Sequence, residues 1–159
     1  MEQSKLSVWL KSVIIGVGIC GLIVYSLVIP SLGSSIVYSY PEFSHCYIPW
    51  IIFTVITSVP CFVALVFAWK ISNEIGKDNS FSYKNAKYLK NISNLAIADV
   101  VIFFVGNTIF LLLNLSHPAV LLASLIVDFV GIAVAVAMAA LSHLVLKSAK
   151  MREENEGII

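Results

Sequence analysis

The chain is 159 residues long, 59% hydrophobic and 12% charged, with a formal net charge of +1. A water-soluble domain carries about 25% charged residues, so too few charged groups are present to cover an aqueous surface, and this length suits one domain. The charges are segregated rather than in surplus, which argues against direct nucleic-acid binding.

The first apolar run follows Lys5 and Lys11 and continues to Ile29. It is longer than the core of a signal peptide and long enough to cross a bilayer, so a retained span is expected over about 8–29, closed by Pro30. Lys11 lies in its first turns and can snorkel to the headgroups. Gly16, Gly18 and Gly21 match the dinucleotide spacing G-x-G-x-x-G. No strand precedes them, so they read as helix-packing positions instead. An outer loop is expected over about 30–46, its tyrosines joining Tyr47 and Trp50 in an interfacial belt.

The second span is expected over about 47–69. Pro60, at its middle, removes a backbone donor and predicts a kink or hinge. The inner loop, 70–91, carries five of the ten basic residues: Lys70, Lys77, Lys84, Lys87 and Lys90. Ser80 or Ser82 can cap a helix there that leads into the third span, about 92–115. Lys84, Lys87 and Asn91 share one side of that helix. Ser116-His117-Pro118 is a short link in which Ser116 can cap the fourth span, about 119–146. The tail, 147–159, holds Lys147, Lys150 and Arg152 with Glu153, Glu154 and Glu156, then Ile158-Ile159.

These spans predict an all-α integral membrane four-helix bundle, in one domain over 1–159. Every Lys and Arg falls on one side of it. By the positive-inside rule that side is the cytoplasm, with both termini inside. Basic residues beside anionic headgroups contribute about 1 kcal/mol each, so the lysine-bearing face is expected to meet anionic lipid or a docking partner.

Two carboxyl groups stand inside spans. Asp99 is about 10 Å deep from the inner edge and Asp128 about 13 Å from the outer edge, at about 1.5 Å per residue. Intramembrane charge is costly and marks functional candidates. Lys11 lies at a membrane edge, and no Lys or Arg lies at the depth of either group to neutralise it. On adjacent antiparallel helices Asp128 could bond Asn107, Thr108 or Asp99. Interhelical glue, a proton or cation relay, and a ligand pocket all remain open. Ser124, Asp128, Gly131, Ala135, Ala139 and Ser142 form a small-residue stripe on the fourth span, suited to close helix contact within the chain or between copies in a homo-oligomer. His143 lies beside it, as a headgroup-facing polar group. Cys20, Cys46 and Cys61 form no disulfide framework; Cys20 and Cys61 read as small apolar filler. No metal-ligand spacing, nucleophile elbow or phosphate loop is present, so neither metal, cofactor nor enzymatic activity is expected.

Several segments resemble the YoaS-like family of small four-span bacterial membrane proteins, a domain of unknown function. They are Tyr40-Pro41-Glu42, Pro60 to Ala64 with Leu65, Ala68 and Lys70, and Phe81-Ser82 with Asn85, Leu89, Lys90 and Ile92. Leu146, Ala149, Glu154, Asn155 and Glu156 extend the likeness to the tail, although the family more often has Asp at 156 and Gly157 is a departure. Asp99 and Asp128 lie outside these segments. Genes of this family often neighbour one for a small helix-turn-helix regulator of the Cro/CI type. The resemblance therefore implies a regulatory membrane partner of such a regulator, acting through Lys84, Lys87, Lys90 and the tail. The alternative is a small transporter or channel-like protein that uses Asp99, Asn107 and Asp128 for proton or cation coupling.

Overall fold

The computed structural model describes residues 3–157 and is all helical apart from short turns. Four helical stretches, of 37, 36, 30 and 38 residues, are long and apolar enough to cross a membrane. A length of about 20 residues suffices for that. Large apolar side chains such as Leu27, Phe129 and Ile126 stand 65%, 72% and 70% exposed. In water such surface would be unstable; against lipid tails it carries no penalty.

The first stretch runs through three segments, α1 (Gln3–Ile23), a π turn (Val24–Val28) and α2 (Ile29–Ser39). It does not end at Pro30 as the sequence led us to expect. Proline breaks an α-helix because its ring meets the carbonyl four residues earlier and it donates nothing. Here the chain widens to a π turn just before the proline, and the Ile29 amide bonds to the Val24 carbonyl. The wider turn relieves the clash and lets the helix continue. The expected 30–46 loop therefore shrinks to Tyr40 and a 3₁₀ turn, Pro41–Phe43. Gly33 lies under the Tyr47 and Trp50 rings, where an added Cβ would sit 2.9 Å from the Tyr47 ring. These two aromatics thus pack on α2, while Tyr38 and Tyr40 stay exposed.

α3 (Ser44–Gly76) stays helical through Pro49 and Pro60. Thr57 and Ser58 each donate to a carbonyl three residues back, Thr54 at 2.9 Å and Val55 at 2.7 Å. α4 (Tyr83–Leu112) starts after the cap Ser82, whose hydroxyl accepts the Asn85 amide, so the lysine-bearing helix and the third span are one element. α5 (Pro118–Glu156) is capped by His117 rather than Ser116. The imidazole Nδ1 accepts the Ala119 amide at 3.1 Å, a role open to any acceptor at the cap position. Its last turns include most of the tail, with Ala149 5% exposed. Ile158-Ile159 and the Glu156 side chain lie outside the described residues.

Among the described residues, α1 packs on α3, α3 on α4 and α4 on α5, while α5 approaches neither α1 nor α3. The four helices form an open row rather than a closed bundle. The cause lies in α5, which buries a single narrow stripe. Ser124, Asp128, Ala135 and Ser142 are its buried positions along the spans, and that face is used up by α4. The Ser93 hydroxyl donates to the Ala135 carbonyl at 2.8 Å and Ser142 to the Ala86 carbonyl at 2.7 Å. The stripe thus serves contact within the chain. At the lysine-bearing end Ser7 and Ser72 clasp α1 to α3, each hydroxyl donating to the other's carbonyl, at 2.7 and 2.9 Å. The G-x-G-x-x-G glycines are looser: Gly18 and Gly21 meet Leu65 and Phe62 at ordinary contact distance, and Gly16 faces open space.

Candidate functional site

The open row leaves a groove of about 610 Å³ between the first helix and α5. Its rim includes Tyr25 and Ile29, its floor Phe53, Cys61, Asp99 and Phe103, and its far wall Ser124 and Asp128. Asn107 and Pro60 line it too, so the three intramembrane polar candidates and the helix-interior proline meet in one place. Close helix approach shapes it. A Cβ on Gly106 would overlap the Phe53 ring, and one on Gly131 would come within 2.5 Å of Val100.

The hydrogen bonding differs from the glue arrangement. Asn107 turns its amide back to the Phe103 carbonyl at 2.8 Å, and Thr108 its hydroxyl to the Phe104 carbonyl at 2.8 Å. Both have an acceptor one turn back on their own helix, so neither crosses to α5. Asp128 is 6% exposed, and both its carboxyl oxygens lack a hydrogen-bond partner. On Asp99 the Oδ2 atom accepts from the Cys61 thiol at 3.5 Å, and Oδ1 has no partner. Cys61 is therefore a polar neighbour of the site rather than apolar filler. All three cysteines are free. No cluster able to hold a metal exists among the described residues.

A second polar region lies at the lysine-bearing end, and Asn85 organises it. Its side chain is 1% exposed, and its amide donates to the Ser80 carbonyl at 3.0 Å and the Asn79 carbonyl at 3.3 Å. Asn79 in turn donates to the Glu74 carboxylate at 2.7 Å. Asp78 takes the left-handed conformation that closes the turn, φ 60°, which Asp tolerates better than most residues. Lys84, Lys87 and Lys90 stand exposed on the helix that follows. The tail is not frayed: Tyr83 donates to the Glu153 carboxylate at 2.8 Å and ties it to the start of α4. Lys147, Lys150 and Arg152 are exposed on this last stretch of α5. Pairs of cation and ring mark the membrane edge below. The Lys11 ammonium lies 5.4 Å from the Trp69 ring centre, and Lys70 lies 5.3 Å from Phe67 and 5.8 Å from Tyr88. His143 is exposed and joins neither region.

Sequence reasoning quoted Asn85 without its role and missed the Ser7–Ser72 clasp and the Cys61–Asp99 contact. Asn three residues after a serine cap, facing a polar turn, could have indicated the first. The other two depend on which helices adjoin, which no local pattern records.

The family model described as "Protein of unknown function (DUF2975)" matches residues 31–159. The chain belongs to this family. The match begins within α2 and runs to the tail, so it takes in Asn85, Asp99, Asn107 and Asp128 but not Tyr25 and Ile29 on the rim of the groove. The chain is also 24% identical over 152 residues to the "Uncharacterized membrane protein YoaS" of Bacillus subtilis (strain 168), covering 94% of this chain and 95% of that protein. No solved structure matches the chain.

Proposed function

We propose that the protein is a non-enzymatic, multi-pass regulatory partner in a bacterial cytoplasmic membrane. It holds a small cytosolic helix-turn-helix regulator of the Cro/CI type at its lysine-bearing face, with both termini inside. One observation carries this reading: the polar surface at that end is built. Asn85 fixes the turn, and Tyr83–Glu153 fixes the tail beside it, at 2.8 Å. Placing positive charge on the inside needs only a bias in lysine count, with no ordered turn. A surface that is already ordered loses less entropy on docking. The resemblance to the YoaS-like family supplies the kind of partner. Anionic headgroups beside Lys84, Lys87 and Lys90 keep the face at the membrane, at about 1 kcal/mol per lysine. The test is co-purification of a Cro/CI-type regulator with the full-length protein from native membranes. Lys84, Lys87 and Lys90 changed together to Gln, or removal of the residues after Lys150, should abolish it. Unchanged capture by both variants would refute the reading.

A second reading is favoured by the unpartnered Asp128 oxygens. In it the protein is a small transporter or channel-like protein, with Asp99, Asn107 and Asp128 coupling a proton or cation. Asp99→Leu and Asp128→Leu should then abolish flux into proteoliposomes while leaving regulator capture intact. Flux equal to the wild type in both variants would refute it.

A further inference from the structure

The groove combines three properties that plain helix packing does not need. Its wall is apolar and aromatic, with Trp50, Phe53 and Phe103 on one side. Two carboxyl groups line it, and three of their four oxygens have no hydrogen-bond partner. No Lys, Arg or His lines it. A buried carboxyl without a donor destabilises the fold, and the helix backbone offers none because its amides are already used. The donor that fits Asp128 therefore comes from outside the chain.

The open side of the groove lies between the first helix and α5, whose backbones do not approach among the described residues. That side faces lipid, so an occupant arrives from the bilayer and carries an apolar body. We infer that the groove is a binding site for a lipophilic amine, its ammonium on Asp128 and its apolar body against Trp50, Phe53 and Phe103. An ammonium, even a tertiary one, brings both an N–H donor and the positive charge that the carboxyl lacks. The ring faces attract the same charge. Other occupants fit worse. An acidic lipid would meet two carboxyls, and an uncharged apolar molecule would leave their oxygens unpartnered. A bare metal cation takes six or more oxygen ligands, more than the few polar groups here supply. A second copy of the chain carries its lysines at one end, away from the depth of Asp128. The site shares its carboxyls with the transport reading but requires binding alone, so a wild-type protein that binds the amine yet carries no flux would sink transport and leave the site in place.

The experiment uses the full chain in nanodiscs of phosphatidylcholine, titrated with the fluorescent tertiary amine dibucaine. Saturable binding of one amine per chain is expected. Asp128→Asn should weaken it about tenfold or more, and Asp99→Asn less, because Cys61 already occupies one oxygen there. An analogue of the amine with an uncharged ether in place of the nitrogen should also bind about tenfold more weakly. Thermal unfolding of each variant reports on its fold. If Asp128→Asn does not fold, Asp128→Glu must retain binding while the ether analogue still fails. Four results would each overturn the site: uptake no greater than by empty nanodiscs, unchanged affinity in a folded Asp128→Asn, equal binding of the ether, or a response to sodium ions without any to the amine.

Discussion

The two halves of the α4–α5 interface treat buried polar groups in opposite ways. Towards the lysine-bearing end, Ser93 and Ser142 reach across and donate to carbonyls of the facing helix, those of Ala135 and Ala86. Further out, Asn107 and Ser124 donate only to carbonyls of their own helices, and Asp128 bonds to nothing. The difference is one of donor and acceptor. A hydroxyl can share an oxygen that already accepts one hydrogen bond, because a carbonyl has two lone pairs. A carboxylate needs a hydrogen, and every helical amide has spent its own. Small residues opposite a serine therefore make glue, whereas an aspartate in the same stripe makes a site.

The largest effect is expected on the other side of α4, where it meets α3 at the floor of the groove. Gly106→Val would drive a side chain into the Phe53 ring and should destabilise the folded state by about 1–3 kcal/mol, read by denaturant titration in detergent. A value near zero would mean that α3 and α4 do not meet at this glycine. Changing Ser93 and Ser142 together to Ala should cost about 1 kcal/mol in the same assay, since intramembrane hydrogen bonds average about 0.6 kcal/mol each. Asp128→Leu should show the opposite sign, leaving stability unchanged or raising it, because an unpartnered buried polar group is removed. A clear loss of stability in Asp128→Leu would show that the carboxyl is glue after all. Smallest is Glu153→Gln, which should leave the denaturation midpoint unchanged within error, since the Tyr83 contact is exposed.

Four helices, the face that α5 buries and a serine cap at 80 or 82, which proves to be Ser82, were legible in the sequence. Each depends on local pattern: the length of an apolar run, a spacing of three and four, or a serine before a helix. Where a helix ends proved harder. Pro30 reads as a stop, yet a π turn upstream accommodates it. The open row was not legible either, because apolar faces that meet lipid look the same as faces that meet a helix. For the site, Asp99, Asn107 and Asp128 were identifiable by type and depth, and they do line one groove. Their partners were not. Whether Asn107 donates across or back along its own helix depends on the local turn, and the Cys61 thiol meets Asp99 only because α3 lies beside α4.

The two polar regions predict separable functions, one docking a regulator outside the bilayer and one accepting a ligand within it. Regulator capture from native membranes by three forms of the full-length protein tests that separation most directly. Wild type and Asp128→Asn should retain equal amounts of a helix-turn-helix regulator of the Cro/CI type, while the form with Lys84, Lys87 and Lys90 changed to Gln should retain none above background. Equal capture by all three would contradict the account.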